Sequence, residues 1–399
     1  MTTYNLWRGL STGRRLTFQV LYRNYAQQIG TTGTTPVKRM SNTKLMVISM
    51  GVGGLIGAGY SGYLSLTSGG NNGLTTQTKP TVIDKFPDNV KITRKIYNPN
   101  DNTDLDLVLF QYQTCPFCCK VRAFLDSQGF SYSVVEVDAV LRQGIKWSKY
   151  KKVPMLLAKR KDGKYVQLTD SSMIISALSS FLLNTDQDIG QLVNFYPNVS
   201  FVDENNKEKT DVLNKYFLMF QEDRPPKSTT RESMEDERKW RTWVDNHLVH
   251  LISPNVYRTS SEARETFEWF SQAGEWDEHF PKWERNLMVH VGAFAMWAIS
   301  KRLKKRHGLT DDVRIHLYEA CDKWTNEIEK KKTKFFGGNE PNLADLNVFG
   351  VLNSMEGCEA FKDCLRNTKI GPWFNAMKEY VQNRRGTVLS QVDMQYLPN

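Results

Sequence analysis

Two cysteines separated by two residues, Cys115 and Cys118, give this sequence its clearest chemical signal. The apolar run at 107–110 predicts a buried strand before them, and helically spaced apolar residues predict a helix after them that ends at Gly129. Cys115 would then lie at a helix N-terminus, where unpaired amides and the helix dipole lower the pKa of a thiol. Cys118 lies one turn further along and is the natural resolving partner. The pair predicts a thiol site.

A zinc half-site and a structural disulfide are the alternative interpretations of this motif. The other cysteines, Cys119, Cys321, Cys358 and Cys364, form no second Cys-x-x-Cys pair, which zinc would require. A structural disulfide is atypical of a cytosol-facing enzyme and would leave the helix-terminal position unused. We therefore expect no metal at the motif, and we expect Cys119 to be a buried or spectator thiol.

The positive charge of the chain is concentrated ahead of its folded part. The 399 residues carry a formal net charge of +10, and residues 1–83 contain no Asp or Glu but eight Lys or Arg. The rest of the chain is therefore nearly balanced, and it contains no recognised nucleic-acid-binding motif. Nucleic acid is not an expected partner.

The N-terminal residues predict a leader with two parts. Residues 1–44 have the Arg-, Ser- and Thr-rich, acid-free composition of a mitochondrial transit peptide. Residues 45–66 are uncharged and long enough to span a bilayer, which favours a single transmembrane anchor over a removed targeting segment. The positive-inside rule would place the basic N-terminus in the cytosol and the folded part across the membrane. Residues 67–89 are interpreted as a linker, flexible over 67–78.

Residues 90–183 show the order of elements of a thioredoxin/glutaredoxin-like α/β domain. Five strands are predicted: one that ends at Phe110, and four at 90–92, 134–137, 153–158 and 165–168. Three helices are predicted: one after Cys115, one over 139–150 and one after Asp170. Val153-Pro154 is where this fold keeps a cis peptide bond beside the thiol. Val153 would offer backbone groups to a peptide-like ligand, and Asp170 and Ser171 would bind a carboxylate and an ammonium group at a helix N-terminus. Glutathione has all three features, whereas the alternative for Asp170-Ser171 is an ordinary helix cap.

The chain becomes helical after a polar insertion at 184–229, in which a hairpin is predicted around 203–206. In the helical domain at 230–390, a helix face carries Trp240, Trp243, His247, His250 and Leu251, and further helices are predicted at 285–306 and 311–331. Asn342 and Asp345 resemble a capping box. An α/β thioredoxin-like domain followed by an all-α domain with such a box is the glutathione-transferase-like architecture.

Several segments resemble the membrane-associated type 2 prostaglandin E synthases. They are residues 110–118, 120–126, 152–154, 170–172, 249–259 and 341–346. The stretch at 249–257, Val-His-Leu-Ile-Ser-Pro-Asn-Val-Tyr, is the most specific, and the resemblance extends over residues 100–385. Cys119 departs from the family pattern, which leaves open the question of which thiols pair on oxidation. The leader resembles the family only in its layout.

The resemblance implies an isomerase that converts prostaglandin H2 to prostaglandin E2. Cys115 would be the nucleophile, Tyr112 a hydrogen-bond donor to the thiolate or to the departing oxygen, and Cys118 a supporting thiol. The family also binds haem with glutathione and in that state breaks prostaglandin H2 down, so His250 is a candidate to face the haem. For Tyr112 and His250 the alternative is a structural role in the core.

The resemblance further implies a homodimer on the Golgi membrane with a cytoplasm-facing catalytic part, and the leader composition leaves the mitochondrion as an alternative. Two other functions stay open. One is a glutaredoxin-like thiol–disulfide oxidoreductase, which would need both cysteines and consume glutathione. The other is a haem–glutathione-binding protein that degrades prostaglandin H2 or has no catalytic role.

Overall fold

The computed structural model describes residues 76–202, 208–221, 226 and 230–389. The predicted transit peptide and the predicted transmembrane segment at 45–66 lie outside the described residues. Among the helices that are described, none combines the length and the apolar character needed to cross a bilayer. The described chain forms a thioredoxin-like α/β domain followed by a helical glutathione-transferase-like region, whose exact boundaries stay predictions.

The α/β domain is built on a twisted sheet. The strands in the described residues are β1 (Thr76–Thr78), β2 (Val82–Ile83), β3 (Arg94–Tyr97), β4 (Leu107–Gln111), β5 (Tyr132–Glu136), β6 (Met155–Lys159), β7 (Tyr165–Thr169), β8 (Asn198–Val202), β9 (Glu208–Val212) and β10 (Thr387–Leu389). Seven of them form one sheet in the order β10-β3-β5-β4-β6-β7-β2, in which β4 and β5 are parallel and the other pairs antiparallel. The central strand β4 is buried along its whole length, as its continuous apolar run predicts.

The helices fall into two groups. The α/β domain and the insertion contain α1 (Pro116–Ser127), α2 (Ser171–Leu183) and α3 (Ile189–Leu192). The helical region contains α4 (Arg231–Trp243), α5 (Val249–Val256), α6 (Ser260–Ala273), α7 (Trp276–His279), α8 (Lys282–Asn286), α9 (Ala293–Arg306), α10 (Val313–Lys331), α11 (Leu343–Asn353), α12 (Glu359–Asn367) and α13 (Ile370–Arg384). Short π-helical segments, Val244–Leu248 and Leu287–Gly292, join α4 to α5 and α8 to α9.

Most predicted elements are confirmed, including the cis peptide bond between Val153 and Pro154. The predicted hairpin is present as β8 and β9, which pair antiparallel on either side of residues that are not described. The capping box is also confirmed, because Asn342 accepts from the amides of Ala344 and Asp345 while the Asp345 carboxylate accepts from the Asn342 amide.

Three predicted elements are wrong in detail. The edge strand expected at 90–92 begins instead at Arg94. The helix expected over 139–150 is a series of turns with one short 3₁₀ segment, Gln143–Ile145, because the Asp138 carboxylate accepts from the amides of Leu141, Arg142 and Gln143 and fixes a turn there. The linker is not flexible throughout, since β1 pairs with β8 and β2 pairs with β7.

The two domains meet closely at the helix that carries the cysteines. Helix α11 crosses α1 at Gly350, where an added Cβ would lie 2.5 Å from the Lys120 Cα. Lys120 itself is fully buried, and its ammonium group pairs with the Asp245 carboxylate of the helical region and donates to the Ser172 hydroxyl at 3.1 Å. Glycine at 350 is therefore needed for this approach, and the helical region helps to hold α1 in place.

Candidate active site

Cys115 is the N-cap residue of α1, and Pro116 follows it as the first residue of the helix. Its side chain is almost entirely buried, at 7% exposure. The pKa of Cys115 is lowered chiefly because the Cys118 thiol donates a hydrogen bond to it, with further support from the amides of Cys118 and Phe117 and from the Arg122 charge, against the opposing effect of burial. The expected direction is thus present, but the neighbouring thiol contributes more than the helix terminus.

Cys118 and Cys119 have the opposite character. Burial and the neighbouring Cys115 raise the pKa of Cys118 well above its usual value, so it is the protonated member of the pair. Burial also raises the pKa of Cys119 to about 11, although Arg122 donates to its sulfur at 3.1 Å. Arg122 and the Gln113 carbonyl hold Cys119 away from the motif. Cys119 therefore fits the prediction of a spectator thiol.

Tyr112 is buried in the same apolar cluster as the two cysteines. Its pKa is raised, mainly by burial and further by the negative charge of the Cys115 thiolate, so its side chain is a neutral phenol. In the part of the chain that the structure describes, no hydrogen bond joins its hydroxyl to either sulfur. Tyr112 is therefore close to the thiols but is not placed as their hydrogen-bond donor in this conformation.

A cleft of about 290 Å³ opens beside the Cys115 sulfur, between the two domains. Six of the predicted site residues line it, namely Cys115, Val153, Pro154, Asp170, Ser171 and His250. Tyr112 and Cys118 lie behind this lining. The opposite wall is apolar and comes from the helical region, with Val249, Ile252, Val256 and Tyr257. The volume lies at the lower end of the range of about 300–1,000 Å³ that is usual for small-molecule sites.

Asp170 serves both the helix and the cleft. Its Oδ1 accepts from the amides of Ser172 at 2.8 Å and Met173 at 3.1 Å, so it is the N-cap of α2. Its Oδ2 lies 3.8 Å from the Lys215 ammonium nitrogen, and its backbone has a positive φ of 72°. Burial raises the pKa of Asp170, while Lys215 acts in the other direction. The helix-cap interpretation is therefore correct, and it leaves one carboxylate oxygen available to a ligand.

His250 is on the cleft rim, stacked on His307 with ring centroids 4.6 Å apart. Burial, followed by the neighbouring His307, lowers the pKa of His250 to about 4. The imidazole is therefore neutral at physiological pH, as a metal ligand or a packing partner would be. Among the described residues, no cluster of three or more His, Cys, Asp or Glu side chains is arranged to hold a metal ion.

Sequence reasoning missed the polar groups that reach the cleft from distant parts of the chain. Lys215 comes from the insertion and Asp245 from the helical region, and neither belongs to a recognisable motif. Although burial raises the pKa of Asp245, the Lys120 charge and hydrogen bonds from Lys120, Ser172 and Tyr216 lower it overall. Tyr150 is also missed, since it was assigned to a helix that does not form.

Comparisons with known proteins agree with this arrangement. The glutaredoxin family model matches residues 107–162, which hold the cysteine motif and Val153-Pro154. A Danio rerio protein named prostaglandin E synthase 2 is 46% identical over 283 residues, which are 71% of this chain and 73% of the relative. The Mus musculus protein of the same name is 47% identical over 282 residues, 70% of this chain and 72% of the relative.

A solved glutathione S-transferase III in its apo form covers 74% of this chain at 14% identity, with a TM-score of 0.39, too low to support a conclusion. The alignments with the two curated relatives cover both of the domains that form the cleft. On that similarity, the chain belongs to the prostaglandin E synthase 2 family.

Proposed function

We propose that the chain is a prostaglandin E synthase that isomerises prostaglandin H2 to prostaglandin E2 at Cys115. Membership of the family supports the reaction. The observation that carries the assignment to Cys115 is its lowered pKa together with its place in the lining of a cleft that has an apolar wall. A thiolate is a strong nucleophile, and an apolar wall suits a substrate derived from a fatty acid.

The reaction can be written with protons and electrons in balance. The Cys115 thiolate attacks one endoperoxide oxygen, the O–O bond breaks, and the other oxygen leaves as an alkoxide that takes up a proton. The carbon next to the sulfur-bound oxygen then loses its hydrogen as a proton. The electron pair of that C–H bond forms the ketone, and the S–O bond breaks to return the thiolate. No external reductant is consumed.

Neighbouring residues would keep Cys115 ready for this step. The Cys118 thiol donates to the resting thiolate and so favours the charged form. Tyr112 remains a neutral phenol in the same buried cluster as both cysteines, and its hydroxyl would donate to the departing oxygen. We therefore assign Cys118 and Tyr112 supporting roles in the thiol chemistry.

Glutathione is the peptide-like ligand that the α/β side of the cleft would accept. Its cysteinyl backbone would pair with the Val153 backbone next to Pro154, in the manner of an added strand, which leaves its sulfur near Cys115. Its γ-glutamyl carboxylate would bind the amide and the hydroxyl of Ser171 at the start of α2, and its ammonium group would face the Asp170 carboxylate. All five residues named here line the same cleft.

Haem is the second cofactor that the family resemblance implies, and the side chains of the cleft fit it by their chemistry. The apolar wall suits a porphyrin face, His250 is a neutral imidazole, and Lys152 and Lys215 supply cations for the propionates. His250 and these two lysines would therefore hold it. When bound, the haem would supply an iron centre able to cleave the peroxide bond, which is the basis of the degradation alternative.

Location and assembly follow from the resemblance and the leader. A single membrane anchor at 45–66, a homodimer and a Golgi membrane with a cytoplasm-facing catalytic part are proposals of this kind, with the mitochondrion as the alternative for an acid-free leader.

Product analysis with prostaglandin H2, with and without added haem, tests the function. The isomerase should form prostaglandin E2 without haem, and glutathione disulfide should not accumulate in proportion to product. A chain that degrades the substrate only when haem and glutathione are both added supports the alternative. Stoichiometric oxidation of glutathione with a disulfide substrate, without prostaglandin E2 formation, would identify a thiol–disulfide oxidoreductase.

A further inference from the structure

Helices α8 and α9, with the π-helical segment between them, present a row of large apolar side chains to solvent. Trp283 is 57%, Leu287 37%, Val291 52% and Phe294 65% exposed. They are spaced by four, four and three residues, so they lie along one face of the helical rod. Single exposed apolar residues are common on soluble proteins, but a contiguous row marks a contact surface. We call these four residues the apolar row.

The exposed charged side chains of α8 and α9 are all basic. The exposed face continues toward the end of α9 with the basic residues Lys301, Arg302, Lys305 and Arg306. Between residues 282 and 306, all of which are described, the only acidic residue is Glu284, and its side chain is buried at 3% exposure. Two further basic residues of this stretch form ion pairs: Arg285 with Asp277, and Lys304 with Asp311.

We propose that this face docks on the surface of an anionic lipid bilayer. Trp, Phe and aliphatic side chains on one helix face enter the boundary between headgroups and acyl chains, and flanking Lys and Arg bind anionic headgroups. A second copy of the chain is a poorer occupant. A twofold interface places the same surface on both sides, and α8 and α9 offer no exposed acid of their own to pair with Lys301, Arg302, Lys305 and Arg306, because Glu284 is buried.

Docking would bring the cleft to the membrane. Leu303 of α9 and His307, which follows the helix, line the cleft that contains Cys115, so the docking helix is also part of the cleft wall. This consequence rests on the proposed function: prostaglandin H2 carries long apolar chains, and a cleft near the lipid surface would receive it directly from the bilayer. The docking itself does not depend on which reaction Cys115 performs.

The test uses the full chain on vesicles with a lipid-borne fluorescence quencher. A small fluorophore is placed on Val291→Cys, and the matched control is Leu365→Cys, another exposed apolar position at 44% on the remote helix α12. The six native cysteines are buried, and the unsubstituted chain labelled in parallel gives the background. Because both labels sit on the same full-length chain, any membrane binding by the N-terminal residues contributes equally to both.

We expect quenching at position 291 on vesicles that contain phosphatidylserine, much less on phosphatidylcholine alone, and little at position 365 on either. Each basic residue near an anionic surface contributes a factor of about five, so replacing Lys301, Arg302 and Lys305 with Gln should shift the equilibrium of this face about 100-fold toward the undocked state, seen as loss of quenching at position 291. Circular dichroism and thermal unfolding of this triple variant confirm that it is folded.

Two results would overturn the proposal. One is equal quenching at positions 291 and 365, or quenching at position 291 that is the same on vesicles with and without phosphatidylserine. The other is shielding of the 291 label from an aqueous quencher without vesicles, together with a dimer in detergent that Phe294→Glu converts to a monomer. That second result would identify the face as an interface between copies of the chain.

Discussion

Replacement of Asp170 separates ligand binding from helix capping, because its two carboxylate oxygens have different partners. Oδ1 accepts from the Ser172 and Met173 amides, and Oδ2 faces the cleft and Lys215. Asp170→Ala would remove both contacts, so a loss of glutathione affinity in that variant alone would be ambiguous. Asp170→Asn retains an oxygen that can cap α2 and tolerates the positive φ, but it removes the charge. We expect both variants to lose glutathione affinity and only Asp170→Ala to lose appreciable stability.

The structure sets the size of both effects. Loss of an N-cap costs about 1 kcal/mol of folding free energy, and alanine at a positive φ adds to that cost. Leaving one charge of a buried, hydrogen-bonded pair without its partner costs about 2–5 kcal/mol. The Asp170 side chain is 31% exposed and Lys215 competes for it, so we expect the low end of the range. A loss of about 2 kcal/mol corresponds to a roughly 30-fold weaker Kd for glutathione.

Calorimetric titration with glutathione and thermal unfolding measure the two effects separately. Asp188→Ala is the matched control, since Asp188 caps α3 through the Gln191 amide but does not line the cleft. It should lower the unfolding temperature and leave glutathione affinity unchanged. If Asp170→Asn binds glutathione within a factor of about two of the unaltered chain, the carboxylate is a cap only and the proposed orientation of the ligand is wrong.

The pH dependence provides a second measurement on the same variants. Burial raises the pKa of Asp170, and its carboxylate must be ionised to bind an ammonium group. Glutathione affinity of the unaltered chain should therefore fall as the pH decreases through that raised pKa. The Asp170→Asn variant should lack this step, because its amide does not titrate.

Three further predictions concern the thiols, the leader and the domain contact. Cys115→Ser should abolish prostaglandin E2 formation, while Cys118→Ser should keep much of it; equal loss from both variants would favour the oxidoreductase. Cys118→Ala removes the hydrogen-bond donor to the thiolate, so the acid limb of the rate–pH profile should move to higher pH. Removing residues 1–75 should leave a soluble, active chain, whereas removing 1–84 also deletes β1 and β2 and should lower the unfolding temperature. Lys120→Met should cost about 3–5 kcal/mol in denaturant unfolding, because Asp245 would stay buried without its cation and keep only the hydrogen bonds from Ser172 and Tyr216. Adding Asp245→Leu should recover part of that loss unless the pair itself is stabilising.

The sequence was sufficient where the structure follows from local pattern. The apolar run of β4, the N-terminal position of Cys115, the Asp170 cap and the Asn342–Asp345 box all depend on residues within a few positions of one another. It failed at 139–150, where the side chain of Asp138 binds three successive amides and replaces a helix with a turn. The spacing of apolar residues does not reveal a side chain that competes with the helix for backbone hydrogen bonds.

The remainder of the site depends on contacts between distant residues. Lys215 and Asp245 are 45 and 75 positions beyond Asp170, and no local pattern connects them with the cysteine motif. The order of elements does predict that a helical region follows the thiol domain, but it does not predict which of its carboxylates is buried against α1. Both that pairing and the close approach of α11 to α1 at Gly350 are contacts that are visible only in three dimensions.

The same contact indicates why the α/β domain alone is not the complete site. Asp245 of the helical region accepts the Ser172 hydroxyl at 2.6 Å and pairs with Lys120, so one carboxylate fixes both the helix of Cys115 and the start of the helix capped by Asp170. The apolar wall opposite Cys115 also comes from the helical region. The glutaredoxin family model ends at residue 162, before Asp170 and before the residues that form this wall. A thiol domain without them would keep the cysteine pair, but it would lack the apolar surface that favours a lipid-derived peroxide over a disulfide.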